Sequence, residues 1–378
     1  MYCSCKISVP VPSAYGFRVF GWLKLASKPL AMHPQIDTLP DSLLANCELP
    51  RRARFYPLGF PLELETNSQE VIQAAAEGWG RFAPRFDETP LRIRLGVSER
   101  EEMPLPSEPR IDTPEHLITF VWDQSNFAVC DMRSGFSFGW VTRKVARDHA
   151  FLRYHFLQAL AMGMLVHRSL APVHGAFVAR KGRGVLLCGD SFAGKTTLAY
   201  ACARAGWTYL ADDGTFLIRA RQDRYAATNP YHIHFRSDAP ALFPELRGRA
   251  NAVRPNGKVG IEVFTSDLPI AVAGECSIDH VVFLNRGEIG RAHLAPHSED
   301  DAMAWCEQRI TYGEARVRTE QRQTLRKLLG AGVWKMRYSD LPGAVDCLER
   351  LVESGGSVAQ MAGAKIVQIK GGSRGRSV

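Results

Sequence analysis

The sequence predicts an α/β protein in which a smaller α+β domain precedes a larger core, and three observations carry this reading. Leu91-Arg92-Ile93-Arg94-Leu95-Gly96-Val97 alternates apolar and basic residues with period two, as a strand buried on one face does. Phe177-Val178-Ala179 and Val185-Leu186-Leu187-Cys188, joined by Lys181-Gly182-Arg183-Gly184, read as a hairpin that runs into a glycine-punctuated loop. A helical segment from Thr197 to Ala205, stopped at Gly206, then leads to a second apolar run, Trp207-Thr208-Tyr209-Leu210-Ala211.

The domains expected are a basic extension over 1–31, an α+β domain over 32–145, the main core over 146–354 and a Gly, Ser and basic tail over 355–378. Within the first domain, Phe55 to Glu65 reads as extended chain around Pro57, Gly59 and Pro61. Asn67-Ser68-Gln69-Glu70 offers a cap to a helix in which Val71, Ile72, Ala75 and Trp79 recur at helical spacing until Gly80. Residues 98–114, rich in Glu, Pro and Ser, read as a loop. Strand-like runs follow at Leu117 to Trp122, Phe127 to Cys130 and Phe136 to Val141. In the core, Phe151 to His167 suits a helix buried on most sides, Trp334 to Tyr338 a strand, and Leu341 to Leu351 an amphipathic helix.

Composition narrows the function classes. The chain has 378 residues, 46% of them hydrophobic, which excludes a disordered or collagenous protein. Its formal charge of +8 is carried by the ends: Lys6, Arg18, Lys24 and Lys28 on one side, Lys365, Lys370, Arg374 and Arg376 on the other, with no acid among them, so residues 32–364 are neutral. A duplex-binding body needs clustered Lys and Arg, so no nucleic acid is expected. No apolar run reaches the roughly 18 residues of a membrane helix, so no membrane is expected either. Nine cysteines without Cys-x-x-Cys pairs or zinc spacing suggest reduced thiols and a cytoplasmic protein, and Met32 is a second candidate start.

Gly189-Asp190-Ser191-Phe192-Ala193-Gly194-Lys195-Thr196 fits G-x-x-x-x-G-K-[ST] between a predicted strand and a predicted helix. Backbone amides at a helix start, with one ammonium, neutralise phosphate without a large basic patch. This assigns residues 189–196, with Thr197 behind them, to phosphate binding. Lys195 would reach the β and γ phosphates of ATP, and the Thr196 hydroxyl would join the shell of a Mg2+ ion. Asp212-Asp213 ends the next strand, where adjacent side chains point to opposite faces. One carboxylate can face the phosphates while its neighbour, Asp213 in this reading, anchors the loop or reaches the metal.

His174, the lysine of the loop and the paired acids, together with Gly184-Val185-Leu186-Leu187-Cys188-Gly189-Asp190-Ser191 and Leu210-Ala211-Asp212-Asp213, resemble the catalytic domain of HPr kinase/phosphorylase and its clan of related kinases. The resemblance covers about residues 145–352, closing with Arg337-Tyr338-Ser339-Asp340-Leu341 and a helix containing Ala344 and Leu348. It implies a P-loop kinase core with a mixed sheet, related to phosphoenolpyruvate carboxykinase, that transfers the γ-phosphoryl group of ATP to a serine. It further implies Asp212 as acceptor of the hydroxyl proton, His174 as the residue that orients or assists Asp212, and Glu245, within Glu245-Leu246-Arg247-Gly248, as a magnesium ligand. That segment lies later than in the bifunctional enzymes, and Arg254-Pro255-Asn256-Gly257-Lys258 only loosely matches their second signature. A kinase without the reverse, phosphate-consuming activity is therefore expected, on a substrate other than HPr.

The expected partners are ATP and a serine-containing protein, peptide or small molecule, with a homo-oligomer left open. A P-loop triphosphatase and a nucleotide-binding scaffold without catalysis are the alternatives; paired acids and His174 favour chemistry, because binding alone needs no base. Tyr231-His232-Ile233-His234-Phe235 puts two histidines on one strand face, read first as packing and second as a substrate contact or metal pair.

Overall fold

The computed structural model describes residues 48–98, 108–255, 257–287, 291–308, 310, 313–330 and 332–355. The basic extension over 1–31, the tail beyond Gly355, and Asn256 lie outside the described residues. The protein is α/β with mixed sheets.

The first sheet has seven strands in the spatial order Arg51–Phe55, Leu62–Thr66, Leu91–Ser98, Phe136–Thr142, Phe127–Asp131, Leu117–Val121 and Arg110–Asp112. Leu62–Thr66 and Leu91–Ser98 run parallel, so the chain must cross over between them, and the helix Gln69–Trp79 makes that crossing. Its Val71, Ala74, Ala75 and Trp79 are buried against Leu62, Leu64, Ile93 and Leu95. Two local expectations shift. Part of the loop expected over 98–114 is an edge strand, because Arg110–Asp112 pairs with Leu117–Val121. The helix expected from Phe151 begins at Arg143 and reaches Arg168 in segments, with a π-helical stretch at Arg153–Gln158.

The second sheet has nine strands, with Leu170–Arg180 and Glu275–Arg286 at its centre and Arg183–Cys188 between them. Arg183–Cys188 is antiparallel to the former and parallel to the latter. Such a strand is covered on both faces and reads as an unbroken apolar run. Its alternation sorts the layers. Val185 and Leu187 pack with Leu198 and Cys202 of the helix Lys195–Arg204 and with Leu348 and Leu351 of the helix Leu341–Glu353. Leu186 and Cys188 face the other way, toward Ala302 and Cys306 of the helix Glu299–Glu307 and Leu325 and Leu328 of the helix Ala315–Leu329. A three-stranded sheet, His232–Phe235, Val259–Phe264 and Ala252–Val253, closes one side.

Buried residues of the first sheet continue through Leu160 and Met164 to Leu170, Phe216 and Ile218, so one hydrophobic cluster joins the two large sheets. Among the described residues, Cys130, Cys188, Cys202, Cys276, Cys306 and Cys347 are free thiols. Also among the described residues, no helix is long and apolar enough to cross a membrane.

Candidate functional site

The loop between Cys188 and Lys195 takes its shape from three residues with left-handed backbone, Gly189 (φ 146°), Phe192 (φ 72°) and Gly194 (φ 91°). A Cβ on Gly194 would lie 2.3 Å from the Tyr338 hydroxyl, and one on Gly189 would lie 2.9 Å from the Ala193 Cβ. Both positions therefore demand glycine, for space as well as for dihedral angle. Tyr338 donates to the Ala193 carbonyl at 2.9 Å, and Trp305 Nε1 donates to Asp190 Oδ1 at 3.0 Å, so elements from far along the chain brace the loop. Lys195 opens the helix and is buried; its Nζ folds back to donate to the Gly189 and Asp190 carbonyls at 2.9 and 3.1 Å.

Gly194 caps the helix without a side-chain acceptor, so no cap oxygen competes for the amides of the first turn. Thr196 and Thr197 lie in that turn, half-buried, and Ser191 is exposed. Phe192 stands 75% exposed with the Arg236 guanidinium 4.4 Å from its ring centroid. Amides at a helix start behind a glycine loop, with Lys195 beside them, fit the phosphates of a nucleotide.

The paired acids part as strand geometry requires, but their partners differ from those expected. Asp213 Oδ1 lies 3.1 Å from His174 Nδ1, because the register that sets Gly214 opposite His174 puts Asp213 beside that ring. Asp212 turns toward the three-stranded sheet, where its Oδ2 accepts the His234 amide at 2.7 Å and faces His234 Nδ1 at 3.2 Å. His174 thus lies against Asp213, the neighbour of the acid beside which the sequence reading sets it. His234 Nε2 continues to Glu262 Oε1 at 3.4 Å, so an imidazole bridges two carboxylates.

Electrostatics divides the acids further. Burial alone would push the Asp212 carboxyl up, but the charge and hydrogen bonds of His234, with Arg254 beyond, hold it below the ordinary carboxylate range. His234 is opposed by burial yet raised by Asp212 and Glu262 to about 9, so it is a cation at neutral pH. Asp213 is pushed up to about 6 by burial and by the charge of Asp212, against the pull of Lys195 and Lys258. One acid is a fixed anion, and its neighbour titrates just below neutrality. Burial lowers His232 from its ordinary value and keeps it neutral.

Glu245 meets the helix that follows the loop. It sits in a 3-10 turn, accepts from the Tyr200 hydroxyl at 2.9 Å and lies 3.1 Å from Arg204 Nε. Both partners belong to the later turns of the helix whose first turn holds Thr196. Among the described residues no cluster of three or more His, Cys, Asp or Glu can hold a metal. Magnesium bound with phosphate needs only one or two protein oxygens, and the half-buried Thr196 in the first helical turn is a candidate for one of them.

A cleft opens on the other side of the acids. Its floor is Asp212, Asp213, Gly214, His232 and His234, and its wall is Leu58, Trp79, Phe82, Gln158 and Met162 from the first half of the chain. Phe82 meets Tyr231 edge-on at 5.1 Å, and the Tyr231 hydroxyl donates to the Arg81 carbonyl at 2.8 Å, which fastens wall to floor. The wall is not legible in the sequence because it lies far from the loop motif; His234 is legible only as one of the two alternating histidines, His232 and His234, read as packing or as a substrate contact or metal pair.

No curated protein matches the chain. The structure of the Hpr(Ser) kinase/phosphatase from Coxiella burnetii is similar at a TM-score of 0.27 and 14% identity, over 48% of this chain and 97% of that one. Residues 147–233, the stretch that holds His174, the loop and both acids, are similar to a family described as SynChlorMet cassette protein ScmC.

Proposed function

We propose that the protein is an ATP-dependent phosphotransferase that passes the γ-phosphoryl group to a serine-type hydroxyl. The carrying observation is the junction of two built features: a glycine loop with Lys195 folded over its rim, and an acid, Asp213, that feels the Lys195 charge while pairing with His174.

The loop amides and Lys195 would hold the β and γ phosphates, and the Thr196 hydroxyl would join a magnesium shell. When bound, that ion neutralises charge on the β and γ oxygens. The acceptor hydroxyl attacks the γ phosphorus in line; the new O–P bond forms as the bridging O–P bond to the β phosphate breaks, and ADP leaves. Asp213 takes the hydroxyl proton, which a carboxylate titrating at about 6 can do at neutral pH. His174 fixes the direction of that carboxylate, and Asp212, locked by His234, supplies the charge that keeps Asp213 basic. The base is thus assigned to Asp213 in preference to Asp212.

The test is transfer of label from γ-labelled ATP with magnesium to serine-containing acceptors, compared among wild type, Lys195→Ala, Asp212→Asn and Asp213→Asn. Labelled acceptor that disappears with Lys195→Ala and Asp213→Asn is the expected result. Free phosphate released at a rate indifferent to acceptor identifies a triphosphatase instead, and full transfer by Asp213→Asn removes the proposed base.

A further inference from the structure

We infer that the outer face of the first sheet is a docking surface for an amphipathic helix of a partner polypeptide, one with an apolar stripe and acids along one flank. The inference goes beyond the phosphotransferase reading and needs no nucleotide.

An antiparallel sheet with one solvated face normally turns its large apolar residues inward and its polar ones outward. The strands Phe127–Asp131 and Phe136–Thr142 reverse this. Their inward positions hold the small, buried Ala128, Cys130, Ser137 and Gly139, whereas Phe127, Val129, Phe136, Phe138 and Trp140 alternate onto the opposite face, each half-buried. Ala128 and Cys130 share a core cluster with Ile93 and Leu95; among the described residues, none of the five outward side chains belongs to a core cluster. Strand register extends the patch to Val121, which pairs with Phe127 and is 39% exposed. Trp140 is seated on Gly96, where a Cβ would come within 2.5 Å of its ring. Contiguous apolar surface of this kind marks an interaction site. Three neighbouring strands at about 4.8 Å spacing make it roughly 10 Å across, the width of one helix.

Charge chooses the flank. Away from Val121 the same face becomes ionic, with Arg52, Arg54, Arg92 and Arg94 against Glu63 and Glu65, an excess of two positive charges from four Arg less two Glu. Arg54 pairs with Glu63 at 2.6 Å and Arg94 with Glu65 at 3.1 Å. Arg92 stands next to the patch, and its partner among the described residues is the Phe136 ring at 5.9 Å. Acids on the flank of a docked helix meet Arg92 there, and complementary charge of this kind fixes register and partner. A second copy of this chain would bring either the same cationic zone or the Arg110–Asp112 edge, where Arg110 and Asp112 already pair, and would leave the excess unmatched. A nucleic acid would set its phosphates against Glu63 and Glu65, and Val121 and Val129 interrupt the ring surface on which bases stack.

The experiment measures binding of labelled helical peptides of about 18 residues to the full chain by fluorescence anisotropy, without nucleotide. One peptide has a Leu and Phe stripe with Glu along one flank, another has Lys in place of Glu, and a third keeps Glu but has Ser in place of the stripe. The Glu peptide is expected to bind with a Kd of about 10–100 µM, as a small transient interface does. The Lys peptide is expected to bind at least about tenfold more weakly, and the peptide without a stripe not at all. Phe138→Lys is expected to abolish binding, and Arg92→Glu, a surface change, to invert the preference between Glu and Lys, each with the wild-type circular dichroism spectrum. No binding by any peptide, equal affinity for the Glu and Lys peptides, or an unaltered preference in Arg92→Glu overturns the proposal. So does tighter binding of an oligothymidylate than of the Glu peptide, which makes the face a nucleic-acid surface. A Phe138→Cys variant that gains no maleimide-reactive thiol over wild type also overturns it; sedimentation velocity then assigns the cover to a second copy if the chain is a dimer, and to segments of the same chain if it is a monomer.

Discussion

His234 grips one oxygen of Asp212 twice, with its backbone amide donating at 2.7 Å and its ring Nδ1 at 3.2 Å. Their side chains are only 6% and 10% exposed, so the pair is a buried ion pair whose loss leaves a carboxylate without its cation. His234→Gln, which keeps the backbone donor, is expected to destabilise the protein by about 3 kcal/mol in urea denaturation.

The same pair sets a pH window. His234 is raised from 6.5 to about 9, so its contribution is complete below pH 6.5 and is lost as pH climbs through 9. Asp212 is depressed below 3.8, so its contribution is present above that value and lost as pH falls further. Wild-type Tm is expected to fall between pH 7 and 9.5, and His234→Gln to flatten that fall in a thermal-shift series. An equal slope in both proteins would contradict the pairing.

Asp213 carries the opposite sign. Its folded value of about 6 lies above 3.8, so ionising it destabilises the fold, and stability is lost as pH rises between those values. The side chain is 35% exposed, and solvent screening leaves about 1 kcal/mol of the penalty. Asp213→Asn is expected to raise Tm by about 2–4 °C at pH 7 and not at pH 3.5, while abolishing phosphoryl transfer. A variant that is inactive and less stable at pH 7 would show that the carboxylate is not strained in place.

Lys195 lends its charge to the loop without holding the core together. Lys195→Ala is expected to weaken MgATP binding roughly 10- to 100-fold, the worth of one charge-assisted contact, with little change in Tm. Calorimetric titration measures the first and thermal unfolding the second.

Gly194 and Tyr338 are expected to couple. A methyl at Gly194 would collide with the Tyr338 hydroxyl at 2.3 Å, while the next ring atom lies at 3.6 Å. Gly194→Ala alone should cost about 2 kcal/mol, from the clash and the left-handed backbone. Tyr338→Phe alone should cost about 1 kcal/mol through the lost bond to Ala193. The double variant should fall short of the sum by about 1 kcal/mol, read from a double-mutant cycle in denaturant. Strict additivity would mean that the two groups do not meet.

Local features were the ones legible in the sequence. The strand at 91–97 and the helix stopped at Gly80 came from periodicity and punctuation, and the glycine loop from a contiguous spelling. The paired acids were legible as a pair, but which histidine each one meets depends on strand register. His174 lies 39 residues before Asp213 and His234 lies 22 after Asp212, and no local rule fixes either pairing. A short signature likewise does not reveal that Glu245 meets Tyr200 and Arg204. Trp79 and Phe82 read as ordinary core, and no local rule reveals that they line one cleft with Asp212 and Asp213.

The brace on the loop arrives late in translation. Tyr338 stands 145 residues beyond the Ala193 carbonyl it holds, and the strand that flanks Arg183–Cys188 in parallel begins at Glu275. Distant pairings of this kind form slowly, since loop closure precedes any reward. A ribosome-bound chain that has just emitted the glycine motif therefore lacks the brace on its loop, which forms only once almost all of the protein has emerged.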